Sequence, residues 1–256
     1  MQSRTPSGDC GEMKMKNARL LAAAAVMGLM PLTAMAQWSD NFDSYLAGSI
    51  QGQGGWKGWD NTPAAAGTVV TAQSLSGPHS QAIATNSDSV REYTGVTSGA
   101  WTYSTNIYIP QGTTGQTYFI LLNKYQDAGP GTAYNWSSEL LFNLTTNVVY
   151  DDLANVGTPS PGSASIPLVR GQWVPVRVDF NLTADTFSSY YNNTLVYSGA
   201  WKRGSATAAA ELKAVDLYHA SGTGTVYYDN FNLVPAPASM SLLALGGLLA
   251  ARRRRA

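Results

Sequence analysis

Two short stretches combine flat aromatic rings with amide and carboxylate groups in a pattern suited to sugar contact. In Gln51 to Asn61, QGQGGWKGWDN, Trp56 and Trp59 stand in a glycine-rich run beside Asp60 and Asn61. In Lys124 to Trp136, KYQDAGPGTAYNW, the rings of Tyr125, Tyr134 and Trp136 surround a Gly-Pro-Gly turn, with Asn135 between the last two. A sugar presents an apolar C–H face on which an aromatic ring stacks, and hydroxyls that Asn, Asp and Gln can bond. Trp56, Trp59, Tyr134, Asn135 and Trp136 are therefore the candidate ligand-binding residues. The competing reading is that tryptophans in such loops cap a protein core.

Catalytic patterns are scarcer. Glycoside hydrolysis uses two carboxyl groups about 5–10 Å apart, which on a strand means acidic residues two apart on one face. Between residues 37 and 234 the glutamates are Glu92, Glu139 and Glu211, and none sits in such a pattern. Asp151 and Asp152 are adjacent, so a strand would point them to opposite faces. His79 reads as loop after Gly77-Pro78, and His219 ends an apolar run. The one cysteine, Cys10, lies near the N-terminus, so the central part has no disulfide, thiol nucleophile or thiolate metal site. These residues point to a protein that is not an enzyme.

The elements that must carry the candidate residues are short. Apolar or alternating runs recur between turn residues, among them Trp101 to Ile109, Thr117 to Asn123, Glu139 to Leu144, Gln172 to Asn181, Ala214 to His219 and Thr225 to Leu233. Ten or more strands without a long amphipathic helix predict an all-β sandwich of one domain, residues 37–234. That segment holds eight basic and fourteen acidic residues, a net charge of −6. An acidic body does not suit a phosphate backbone, so no nucleic-acid partner is expected. In WVPVRVDFNLTADTFSSYYNNTLVYSGAW, Trp173 to Trp201, Val174, Val176, Val178 and Phe180 alternate with wet positions, and Asn192-Asn193 suits a tight hairpin.

This Trp-led strand and its asparagine hairpin resemble those of laminin G-like and concanavalin A-like sandwiches. WSDNFDSY (Trp38 to Tyr45) and YYDNFNLV (Tyr227 to Val234) fit the first and last strands of such folds, which lie side by side. The resemblance implies a jelly-roll β-sandwich. It also implies a possible structural Ca2+ where those strands meet, with Asp40, Asp43 and Asp229 as carboxylate ligands and backbone carbonyls completing the shell. The scaffold carries lectins, hydrolases, lyases and adhesion modules alike. The strand patterns of laminarinase-type and alginate-lyase-type sandwiches are not matched, beyond a faint echo in Arg91-Glu-Tyr93. The expected role is non-catalytic and carbohydrate-associated. A polysaccharide-degrading enzyme with an atypical site and a structural surface protein without glycan specificity are the alternatives.

The two ends address the protein. Lys14, Lys16 and Arg19 precede an apolar run from Leu20 to Met30, and Ala34-Met-Ala36 follows. That order reads as a secretory signal peptide within residues 1–36, cut after Ala36, with an upstream extension before Met13 or Met15. A membrane anchor is the other reading of this run. At the other end, Pro235-Ala236-Pro237 precedes an almost wholly apolar segment and then Arg252, Arg253, Arg254 and Arg255. The prolines are expected to stop the last strand. This end, residues 235–256, resembles the PEP-CTERM sorting signal of Gram-negative bacteria, with alanine where that motif usually has glutamate. The resemblance implies export, transient residence of a short C-terminal hydrophobic helix in the inner membrane, and recognition by an exosortase. The destination it implies is the cell surface or an exopolysaccharide-containing extracellular matrix. A simple membrane anchor is the alternative.

Overall fold

A computed structural model describes residues 1–2, 38–129, 133–152, 157–203 and 209–236. The expected signal peptide, Pro237, the apolar tail and Arg252 to Arg255 lie outside the described residues. The chain divides into compact units Met1–Leu32 and Thr33–Ala256, and the described strands all belong to the second.

Among the described residues sixteen strands, numbered along the chain, form two antiparallel sheets. The first sheet runs β14 (Thr194–Gly199), β13 (Thr186–Tyr191), β12 (Trp173–Asn181), β7 (Ala100–Tyr108), β16 (Thr225–Pro235), β5 (Ser80–Ala84), β4 (Thr68–Val70), β2 (Gly48–Ser49). β1 (Trp38–Asp40) joins it alongside β16. The second sheet runs β11 (Ile166–Pro167), β10 (Val148–Asp151), β9 (Asn135–Asn143), β8 (Gln116–Lys124), β15 (Ala214–Ser221), β6 (Asp88–Glu92), β3 (Trp56–Gly58). The expected all-β, jelly-roll-type sandwich is the observed architecture. Among the described residues no helix is long and apolar enough to cross a membrane.

The alternation in β12 shows why the sheets face each other. Val174, Val176, Val178 and Phe180 are buried, while Pro175, Arg177 and Asp179 between them are half-exposed. The same period in β7 turns Tyr103 and Ile107 inward and Ser104 and Asn106 outward. The inner residues of both sheets, from Phe42 to Leu233, make one continuous core. Residues 38–236 thus contain that core and the pairing of first with last strand, Trp38 opposite Leu233 and Asp40 opposite Phe231. The β13–β14 hairpin turns on Asn192 (φ 49°) and Asn193 (φ 61°). Two successive left-handed residues suit the right-handed twist of the flanking strands.

Two expectations about extent need correction. The strand expected over the WSDNFDSY stretch is only Trp38–Asp40. Phe42 then takes φ 62°, a conformation costly for a bulky residue, and its N–H is held by Asp40 Oδ1 at 3.0 Å. Pro235, expected to lie beyond the sheet, is the last residue of β16 and pairs with Trp101. A proline is tolerated there because the next N–H, that of Ala236, supplies the bond to the Ala100 carbonyl at 2.8 Å.

Candidate functional site

The outer face of the second sheet brings together two of the expected aromatic groups. Gly58 ends β3 and lets the chain turn sharply, since a Cβ there would lie 2.0 Å from the Thr62 carbonyl oxygen. The following turn of 3-10 helix, Trp59–Asn61, bends through Asp60 at φ 54° and carries Trp59 outward. Trp59 meets Tyr134 at 4.8 Å and Tyr125 at 4.9 Å between ring centroids. Trp136 lies 6.5 Å from Trp59 with the two planes only 11° apart. Trp59, Tyr134 and Trp136 are all part-exposed, and Tyr125 is buried behind them.

Asp60 ties this cluster together. Its Oδ1 accepts the Tyr134 hydroxyl at 2.6 Å and the Ala128 N–H at 2.9 Å. Its own N–H donates to the Tyr125 hydroxyl at 3.0 Å, which in turn donates to Asp127 at 2.9 Å. The bond to Asp60 raises the Tyr134 pKa, because the carboxylate favours the protonated phenol. Lys57 Nζ bridges Glu92 at 2.6 Å and Asp127 at 2.5 Å at the edge of the same group. The rings are therefore positioned by charge-assisted bonds between two separate loops rather than by either loop alone.

Two of the five expected ligand residues do not belong to this surface. Trp56 lies on β3 rather than in a loop and is fully buried against Trp38, Phe42 and Phe231. Its Nε1 donates to Asp40 at 2.9 Å. Asn135 is 7% exposed, and its amide donates to Asn123 Oδ1 at 2.7 Å and to the Arg203 carbonyl at 3.1 Å. The strand period separates Trp56 from Trp59 and Asn135 from its neighbours on either side.

Beneath the rings, the same face carries acidic residues that single-strand spacing did not reveal. In β15, Asp216 stands opposite Val90 of β6 and Ile120 of β8; Glu139 of β9 stands opposite Ile120 from the other side. Asp216 and Glu139 are thus two strands apart, about 10 Å at the ~4.8 Å strand spacing. Asp88, next to Val90 on β6, shares a side-chain hydrogen bond with Asp216. Burial pushes Asp88 up to about 6. Burial, then the charge of Asp88, holds Asp216 well above the usual carboxylate range. A hydrogen bond between two carboxyls favours a proton held between them, and burial adds to that preference. Tyr118 and Tyr218 stack nearby, centroids 6.0 Å apart. The signal in the sequence was a charge inside an apolar run: Glu139 before Leu140, Leu141 and Phe142, and Asp216 between Val215 and Leu217.

The proposed calcium set fares differently. Asp40 is 8% exposed and faces inward, its Oδ1 taken by Phe42 N–H and its Oδ2 by the Tyr45 hydroxyl at 2.5 Å and by Trp56. Asp229 accepts the N–H groups of Leu75 at 2.8 Å, Ser76 at 3.1 Å and Asn230 at 2.7 Å. Asp43 accepts His79 N–H at 3.2 Å and the Asn41 amide at 2.6 Å. It presses so closely on Gly77 that a Cβ there would lie 2.0 Å from its oxygen. Asp43 is near enough to Asp229 for its charge to add to the burial that raises the Asp229 pKa. Among the described residues no group of three such side chains could hold a metal. Asp40, Asp43 and Asp229 do not fit as one ligand set, because N–H and O–H donors occupy the oxygens a cation would need.

No protein-family profile matches the chain, and no curated protein matches it. Solved structures do. A cellulose-induced protein, Cip1, is 14% identical over 78% of this chain and 98% of its own, with a TM-score of 0.51. An alginate lyase, Aly36B, solved with an alginate tetrasaccharide, is 14% identical over 78% and 96%, with a TM-score of 0.49. The carbohydrate-binding module CBM66 from Bacillus subtilis is 17% identical over 70% and 95%, with a TM-score of 0.44. At these identities the first likeness establishes a shared sandwich fold and nothing about chemistry.

Proposed function

We propose that this chain is an exported surface or extracellular-matrix protein that associates with carbohydrate without cleaving it. Trp59, Tyr134 and Trp136 form the contact surface, with Asp60 and the exposed Asn61 at its border. The observation that carries this reading is the convergence of three part-exposed rings, two of them nearly parallel, from the turn after β3 and from the start of β9. Aromatic faces held in a polar frame suit a ligand with C–H faces and hydroxyl edges. Export and sorting rest on the sequence of the two ends, with exosortase-type machinery as partner and a Gram-negative cell surface or matrix as destination.

Affinity electrophoresis of residues 37–236 in gels containing neutral and acidic polysaccharides tests the binding. Retardation that weakens about tenfold in Trp136→Ala and in Trp59→Ala, with folding intact, is the expected result. Equal mobility of wild type and both variants in every gel overturns it. Mass spectrometry of the exported protein tests the tail, which is expected to be missing beyond the Pro235–Pro237 region.

A second reading is favoured by Asp88, Asp216 and Glu139. Two acidic residues on one face with backbones about 10 Å apart, one of them with a raised pKa, resemble the acid–base pair of water-mediated glycoside hydrolysis. Asp216 is only 2% exposed, which supports binding over cleavage. Release of reducing ends from any polysaccharide, abolished in Asp216→Asn, would replace the first reading with this one.

A further inference from the structure

The outer face of the first sheet holds a concavity of about 700 Å³, bordered by β1, β7, β16 and Pro175 of β12. Its origin is a register break in β16 between Asp229 and Asn232, where Asn230 takes φ 55°. Asp229 keeps that break open by binding the N–H groups of Leu75, Ser76 and Asn230 with its carboxylate. The volume falls within the ~300–1,000 Å³ of small-molecule sites.

The lining is mostly neutral and polar. Ser39, Ser44, Ser104 and Asn106 border the space, and their side chains make no hydrogen bond to another described residue. The one charged group there, Asp40, directs both oxygens to donors inside the protein. Arg177, opposite Ser104 in register, is paired with Asp179 at 3.2 Å, so the hydroxyls and the primary amide match a partner that both donates and accepts but carries no charge. Two residues along the strands, a step of about 7 Å, Trp173, Tyr108 and Tyr227 stand side by side in register across β12, β7 and β16. Their centroids are 5.6 and 6.3 Å apart, and all three are part-exposed.

We infer that this concavity and the adjoining aromatic row are a second carbohydrate site, for a neutral glycan segment. One or two sugar units would sit among Ser104, Asn106 and Ser39, and the chain would continue over Tyr108 and Trp173. Sites on the outer faces of both sheets would let one protein join two polysaccharide chains. This joining rests on the proposed aromatic site of the second sheet; the concavity itself does not.

The test uses residues 37–236, which contain the whole core, in gels of neutral polysaccharides (hydroxyethylcellulose, xylan, mannan, dextran). Ser104→Ala/Asn106→Ala removes the polar contacts, and Asn106→Trp fills the space; urea midpoints and near-UV circular dichroism check folding. Wild type is expected to be retarded and to raise the viscosity of the matching polysaccharide. Each concavity variant should lose about tenfold in affinity, the loss of two hydrogen bonds. Trp136→Ala should weaken retardation as above, keep the binding that the concavity carries, and lose the viscosity effect. If Trp136→Ala alone abolishes retardation, the inference fails and the aromatic site stands. If the concavity variants abolish it and Trp136→Ala changes nothing, the concavity stands and the aromatic site falls. Absence of retardation of folded wild type in all neutral gels overturns the concavity.

Discussion

Asp151 and Asp216 are both essentially out of contact with water, on one sheet with β9 and β8 between their strands, yet they are accommodated in opposite ways. Asp151 is grasped by both terminal nitrogens of Arg203, at 2.5 and 2.7 Å, and the guanidinium is itself roofed by the rings of Phe187 and Tyr197. Among the described residues no cation contributes to the environment of Asp216; its charged neighbours are Asp88 and Glu139. A buried carboxyl requires either a counter-charge or a proton. The first site has the former and the second relies on the latter. Placement on one sheet therefore says little about electrostatic state, which depends on what the strands on either side contribute.

Removing the counter-charge should have the largest effect. Arg203→Met leaves Asp151 buried and uncompensated and should lower stability by about 3–5 kcal/mol in urea unfolding. A loss below ~1 kcal/mol would mean that Asp151 has another route to neutrality. The acid pair should respond with the opposite sign. A carboxyl whose folded pKa lies above its unfolded value stabilises the fold below the unfolded pKa, and the benefit is lost as pH rises through the folded one. For Asp88, with a folded pKa of about 6, the fall spans roughly pH 4 to 7. Asp216→Asn should raise Tm at pH 7, leave it nearly unchanged at pH 4, and flatten the profile between. A lower Tm at pH 7 would show that Asp216 is stabilised by something other than a shared proton.

Smaller effects calibrate these. Tyr134→Phe deletes the 2.6 Å bond to Asp60 at the part-exposed aromatic cluster and should lower the urea midpoint far less than Arg203→Met. It should also weaken any glycan retardation by loosening the ring. Arg177→Ala breaks a 3.2 Å ion pair with Asp179 whose side chains are 39% and 41% exposed, and should cost less than about 1 kcal/mol. If Arg177→Ala cost as much as Arg203→Met, burial would not be what separates the two regions.

The sandwich was legible because strand period and turn chemistry are local. β7, β12, β13 and β16 lie close to where their alternating residues and flanking turns placed them. β5 and β6 were not anticipated, although Ile83 and Val90 are core or cluster residues. Their five-residue runs mix small, polar and charged side chains, so alternation is too weak to stand out. At the site, Trp59, Tyr134 and Trp136 were recognisable from ring density in glycine-rich stretches. Trp56 and Asn135 were not separable from them, since only the position of the strand edge decides which side of the sheet a residue takes.

Local patterns in the chain were enough for the sandwich, the Asn192-Asn193 hairpin and the aromatic character of two stretches, while the pairing of first with last strand was implied by the resemblance to laminin G-like and concanavalin A-like folds. The first three follow from residue types a few positions apart. The tertiary structure alone decided that Asp40 faces the core and that Asp43 and Asp229 are occupied by loop N–H groups. It also decided that Asp88 and Asp216, 128 positions apart, share a side-chain hydrogen bond, and that a break in β16 opens a polar concavity on the other sheet. The physical reason is that strand neighbours in this topology are distant in sequence. Every charge, hydroxyl and ring on an outer face therefore acquires its partners from segments that local spacing does not connect.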